Sequence, residues 1–117
     1  MSQSLLRLAA LSGAVAVIAG AFGAHAAVGK AAEWLKTGGL YEMVHAVAAI
    51  VAVQLRNRLA AALLLGGSAV FAVTLYAMAL GGPLWLGAIT PLGGLGMIVG
   101  WLVLAWRPIM ADEQGKG

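Results

Sequence analysis

Gly20-Ala21-Phe22-Gly23-Ala24-His25-Ala26 closes an apolar run that begins at Leu8 and lasts about 20 residues. On a helix, Ser12, Ala16, Gly20 and Ala24 fall at i, i+4, i+8 and i+12 and form a stripe of small side chains, widened by Gly13 and Gly23. In water such a stripe weakens a helix, because each interior glycine costs about 1 kcal/mol against alanine. In lipid it is useful, because helices there associate by close backbone approach and small-xxx-small spacing permits it. The stretch therefore reads as the end of a membrane-spanning helix with a packing face, and Gly13, Gly20 and Gly23 are its helix-packing residues.

Composition agrees. The chain has 117 residues, enough for one domain, and is 62% hydrophobic with only 9% charged residues. A soluble domain carries about 25% charged residues, so too few charges are present to coat a water-facing surface. The net charge of +3 comes from basic residues scattered singly at the ends of apolar runs. That pattern is a topology signal and not a nucleic-acid patch. Without cysteine, disulfides, thiolate metal sites and a cysteine nucleophile are excluded. Arg7, the apolar run and Ala24-His25-Ala26 imitate a secretory leader with its cleavage site, but the run exceeds the roughly 7–15 residues of a signal core. It has the length of a membrane span and is read as a retained helix.

Working outward, residues 1–117 read as a single four-span domain. The spans are placed at about 5–28, 40–55, 59–80 and 84–106, with a solvated tail at 108–117 after Arg107-Pro108 ends the last helix. Between the first two spans, a short polar segment with Lys30, Glu33, Trp34 and Lys36 is expected to lie in the interface, Trp34 and Leu35 facing lipid, until Gly38-Gly39 breaks it. The second span would then reach only roughly 24 Å, short of a ~30 Å hydrocarbon core. Gly81-Gly82-Pro83 is a turn by composition. Pro91, about seven residues into the fourth span, predicts a kink or short break there, with Thr90 available to satisfy a freed carbonyl. Gly93, Gly96 and Gly100 give the fourth helix its own packing face. The expected fold is thus an all-α integral membrane four-helix bundle.

Charge orients it. The N-terminus, the Arg56-Asn57-Arg58 turn and the C-terminus share one side, which holds Arg7, Arg56, Arg58, Arg107 and Lys116, while the other side holds Lys30 and Lys36. The excess places both termini in the cytoplasm. Threaded this way, the intramembrane polar groups His25, Tyr41, Glu42, His45, Tyr76 and Thr90 all fall in the outer third of the bilayer. Ionisable residues inside spans are costly and face a partner or a cavity. Tyr41, Glu42 and His45 share one helix face by spacing.

The preferred reading is a hydrogen-bond clasp that pins the helices in register. The alternative is a small-ligand, proton or metal site, used for binding or transport. Glu-x-x-His supplies two ligands in di-iron bundles, but those carry two such motifs and two further glutamates; here His25, Glu42 and His45 would be the three ligands of an open site. No cofactor is expected, and two histidines are too few to argue for haem. No phosphate-binding loop, nucleophile elbow or dinucleotide fingerprint is present, so the chain reads as non-enzymatic.

Three stretches carry a family resemblance: Gly20-Ala21-Phe22-Gly23-Ala24-His25; Trp34-Leu35-Lys36-Thr37-Gly38 continuing to Tyr41-Glu42-Met43-Val44-His45; and Leu86-Gly87-Ala88-Ile89-Thr90-Pro91-Leu92-Gly93-Gly94 with Gly100-Trp101. Over nearly its whole length the chain resembles the YgdD-like small inner-membrane proteins, domain-of-unknown-function family 423. The resemblance implies a four-span bacterial inner-membrane protein and brings no established activity. Two positions depart from the family pattern. Glu42 stands where the family has glutamine, a poor metal ligand, which favours the clasp. Ala72-Val73-Thr74-Leu75-Tyr76 replaces Ser-Gly-Ser-Leu-Tyr, keeping the tyrosine and losing the glycine. The expected role is that of an accessory or assembly protein, with membrane lipid and a homo-oligomer or larger membrane complex as partners and no nucleic acid.

Overall fold

The structure, a computed structural model, describes the backbone of residues 2–116 and the side chains of residues 3–106. Within them the chain is all helical: α1 (Ser2–His25), α2 (Gly29–Gln54), α3 (Arg58–Ala79), a 3-10 segment (Leu84–Ala88) and α4 (Thr90–Lys116). Each helix packs on the next in sequence, α1 on α2, α2 on α3 and α3 on α4, and α1 touches α3 only lightly. Three helical stretches, Gln3–His25, Arg58–Ala79 and Leu84–Trp106, are long and apolar enough to cross a membrane.

The outside of the bundle is its greasy side. Ile18 is 67% exposed and Leu102 63%, and Val17, Phe22, Val47, Val73, Leu95 and Ile98 also face outward. The core beneath them is built largely of alanine, with Ala9, Ala48, Ala49, Ala52, Ala60 and Ala61 gathered around Leu64 and Leu65. A soluble monomer rarely exposes an apolar patch beyond a few hundred Å², whereas in lipid an apolar exterior over a small-residue interior is the stable arrangement.

Two parts of the expected layout are overturned. Gly38-Gly39 does not break the chain: α2 runs uninterrupted from Gly29 through the polar segment to Gln54, so no separate interfacial segment and no short second helix form. Both glycines are buried contact points. A Cβ added at Gly39 would lie 3.1 Å from the Ala16 carbonyl oxygen and the Gly20 nitrogen of α1, and one at Gly38 would lie 2.7 Å from the Tyr76 ring of α3. Leu35 likewise packs inward, buried against Gly23. The backbone of α4 continues to Lys116, so Pro108 does not end the helix. A proline removes one backbone bond, and Ile109 to Glu113 offers no glycine or second proline to stop the next turn. The side chains of the charged tail, Arg107 and Lys116 among them, lie outside the described residues. At Pro91 the chain changes type: Leu84–Ala88 is 3-10, Ile89 follows, and α4 starts at Thr90. Pro91 thereby stands in the first turn of a helix, where a missing N–H leaves no bond unmade.

The connections are tight. After α2, the Asn57 N–H bonds the Ala52 carbonyl at 2.9 Å and the Arg56 N–H bonds the Val53 carbonyl at 3.0 Å. This paired closure carries its left-handed residue at Arg56, φ 60°, where glycine is usual. Asn57 then caps α3 by accepting the Ala60 N–H at 3.0 Å and reaches the Val103 carbonyl of α4 at 3.4 Å. Asn57→Ala is expected to cost about 1 kcal/mol, read as a lowered thermal midpoint in mild detergent, and Asn57→Ser, which keeps a capping oxygen without a charge, should recover part of it.

Candidate functional site

Glu42 is the centre of the polar interior. It lies thirteen residues from the start of α2 and twelve from its end, and only 5% of it is exposed. Its two carboxyl oxygens are taken by different helices. Ser12 of α1 donates its hydroxyl to Oε2 at 2.7 Å, and Tyr76 of α3 donates to Oε1 at 2.6 Å. Both donors reach Glu42 because of the glycines beside it. Gly39 lets α1 approach α2 at Ala16 and Gly20, and Gly38 leaves room for the Tyr76 ring one turn from its acceptor.

His45, one turn further along α2, faces α4. The Trp101 indole donates to His45 Nε2 at 2.9 Å, and His45 Nδ1 lies 2.6 Å from the Tyr41 carbonyl. An indole N–H can only donate, so Nε2 accepts and the ring proton is on Nδ1, directed at the carbonyl. Aromatic contacts frame the ring: Trp101 meets His45 edge-on at 5.7 Å between centroids, and Tyr41 stacks on His45 at 6.2 Å and leans on Phe71 at 4.9 Å. A third link joins α3 to α4, where the hydroxyls of Thr74 and Thr90 lie 2.6 Å apart and Thr90 also reaches the Leu86 carbonyl at 3.2 Å. Among the described residues no buried side-chain nitrogen or oxygen lacks a partner.

The sequence-derived candidates thus divide. Tyr41, Glu42, His45 and Tyr76 come together, and Thr90 joins the neighbouring threonine pair. The cluster is at mid-height of α2, not near its Gly29 end, because α2 begins eleven residues before the expected second span. His25 does not join. It closes α1 and is exposed, and α2 must run thirteen residues, roughly 20 Å of helix, from its own start to reach Glu42. The three-ligand arrangement of His25, Glu42 and His45 does not form, and no group of three or more His, Cys, Asp or Glu able to hold a metal ion occurs among the described residues. Among the packing glycines, Gly93 and Gly96 meet Gly67 of α3, Gly100 meets Leu64 and Gly23 meets Leu35; Gly20 receives Gly39, while Gly13 has only an ordinary contact with Ala46. Two members of the cluster, Ser12 and Trp101, escape sequence reasoning. Ser12 reads as one small residue in a stripe and Trp101 as one aromatic in an apolar helix; an ionisable residue inside a span needs a partner, but nothing local says which residue supplies it.

Outward-facing apolar helices tied together by buried side-chain hydrogen bonds define a small multi-pass helical membrane protein. The chain belongs to the family described as protein of unknown function DUF423, whose model matches residues 19–94. Relatives align with it over most of its length. A UPF0382 membrane protein of Haemophilus influenzae is 37% identical over 116 residues, covering 91% of this chain and 94% of the relative. The UPF0382 membrane protein YwdK of Bacillus subtilis is 36% identical over 83% of this chain and 89% of its own. The UPF0382 inner membrane protein YgdD of Escherichia coli K12 is 31% identical over 97% and 95%. No solved structure matches the chain. The protein is an inner-membrane protein of a family whose function is uncharacterised.

Proposed function

We propose that the chain is a four-span, non-enzymatic accessory or assembly protein, with both termini in the cytoplasm, whose interior polar residues act as a clasp. In this reading α2 is the second span, crossing the membrane beside α1 with Lys30, Glu33 and Lys36 in its first turns toward the outer side. The excess of Arg and Lys at the opposite end sets the orientation. The observation that carries the clasp is that Glu42 spends both oxygens on hydroxyls from α1 and α3, while His45 spends both nitrogens within the chain. A catalytic group saturated by its own fold has nothing left for a substrate. Recognition of a protein partner then falls to the outer surface, whose apolar helix faces suit contacts with a second copy or another membrane protein.

The chain has no cysteine, so single introduced cysteines report threading cleanly. Lys36→Cys is expected to react with a membrane-impermeant thiol reagent in intact cells, and Arg56→Cys only after the membrane is opened; the reverse pattern would overturn the orientation. For the accessory role, the tagged protein extracted in mild detergent should bring a membrane protein with it at fixed stoichiometry. Recovery of bare monomer alone would count against that role.

A further inference from the structure

Since α1 and α3 both lean on α2 but barely touch each other, a groove of about 460 Å³ runs between them. Leu8 and Leu11 form one wall, Ala62 and Gly66 belong to the other, and Ser12 and Glu42 are the polar groups among its lining. The α3 wall stays low because its residues are small: a Cβ added at Gly66 would meet nothing within 4 Å. The carboxyl that ties the bundle together is therefore also the polar floor of an apolar channel open to the side of the bundle.

We propose that Glu42 is a proton-binding carboxyl reached through this groove from the hydrocarbon. The inference rests on the four-span reading, which puts the groove in lipid. Both partners of Glu42 are neutral hydroxyls, so the ionised carboxylate would bring its full charge to a hydrocarbon-lined space, a costly arrangement. The ligand that cancels that charge and fits between leucine and alanine walls is a proton. A metal ion would need further ligands, and the described residues do not gather them. The neighbouring groups leave Glu42 as the site. From α1 it meets Ser12, and from α3 Tyr76, whose hydroxyl is already donated to Oε1. One turn on, His45 has its two nitrogens committed to Trp101 of α4 and to the Tyr41 carbonyl.

The hydrogen bonds balance when the proton arrives. It adds to Oε2, the oxygen that faces Ser12, and the new O–H donates to Ser12 Oγ. The Ser12 hydrogen, released from Oε2, turns to a carbonyl one turn back on α1, as helical serines do. Tyr76 continues to donate to Oε1, now the carbonyl oxygen of the acid. One proton is gained, the negative charge is removed, and the link to α1 is reversed in sense without being lost.

The test treats the intact protein in lipid vesicles with dicyclohexylcarbodiimide, a lipid-soluble carbodiimide, and maps the adduct by peptide mass spectrometry. A protonated acid adds across the reagent's C=N bond: the carboxyl oxygen bonds the central carbon, the proton goes to nitrogen, and the O-acylisourea rearranges to a stable N-acylurea. The expected result is an adduct on Glu42 that falls several-fold from acidic to alkaline pH and is absent from Glu42→Gln, while a water-soluble carbodiimide leaves Glu42 untouched. No adduct with either reagent at any pH overturns the proton site and leaves the four-span reading standing. A lipid-soluble adduct unchanged across the pH range also overturns it, since the proton is then never exchanged. Labelling by the water-soluble reagent to the same extent places Glu42 in water and overturns the span reading together with the proposal.

Discussion

Gly93→Ala is expected to force α3 and α4 apart and to cost about 3 kcal/mol or more, at the top of the range for overpacking a close contact. The added Cβ would land on the Phe71 backbone nitrogen and lie 2.6 Å from the Gly67 carbonyl oxygen. Both obstacles are main chain, so no rotamer change relieves them and the helices themselves must move. Gly67→Ala meets the same barrier from the other side, 2.6 Å from the Met97 nitrogen and 2.8 Å from the Gly93 carbonyl oxygen. Separation at this crossing also pulls on the Thr74–Thr90 bond and on the Trp101–His45 bond, the links that α4 makes to α3 and α2. Gly66→Ala supplies the contrast one residue away. Its Cβ would enter open space, so only the helix-propensity gain remains, up to about 1 kcal/mol. Thermal unfolding in mild detergent, followed by circular dichroism, should drop sharply for Gly93→Ala and Gly67→Ala and hold or rise for Gly66→Ala. Equal midpoints for Gly67→Ala and Gly66→Ala would mean that α3 and α4 do not cross where the structure has them.

The same glycines show what a linear reading delivers. Apolar run lengths and the lack of charge are properties of the chain alone, and they suffice for the membrane class and for the long helices α1 and α3. Gly38-Gly39 is different. In isolation a glycine pair is a turn signal; with a partner helix it is a contact surface. Nothing local distinguishes the two, because the deciding atoms, the Ala16 carbonyl and the Tyr76 ring, lie more than twenty residues away in sequence. Reading the pair as a break displaces the start of α2 by eleven residues and carries the polar cluster with it, from mid-height toward one end. Tyr41, Glu42, His45 and Tyr76 are legible because ionisable and phenolic groups stand out against an apolar background. Ser12 is not, since a serine in a stripe of small residues looks the same whether or not its hydroxyl has a distant partner. His25 errs the other way: its chemistry invites a role, but its place at the end of α1 removes it from the cluster.

Replacing Glu42 with alanine is expected to loosen α1 and α3 together and to cost about 2–4 kcal/mol, taking roughly 1–2 kcal/mol for each interhelical hydrogen bond in lipid. The loss should fall unequally. Ser12 can turn back to its own helix, whereas the Tyr76 ring is packed against Gly38 and its hydroxyl keeps its position with no acceptor. Tyr76→Phe should therefore cost clearly less when added to Glu42→Ala than when made alone, and that non-additivity measures the bond directly. Glu42→Gln should behave differently from both. Its amide oxygen accepts one hydroxyl and its NH₂ donates to the other, which reverses its role, so both links survive and the midpoint should stay within about 1 kcal/mol of the parent. Glutamine also has the shape of the neutral acid without an exchangeable carboxyl proton. If Glu42→Gln unfolds as readily as Glu42→Ala, the negative charge itself holds the helices and the hydrogen-bond clasp is wrong. If it folds normally, glutamine meets the structural need in full. The carboxyl then contributes only what an amide lacks, a proton it can take up and release, and that property lies on the floor of the α1–α3 groove.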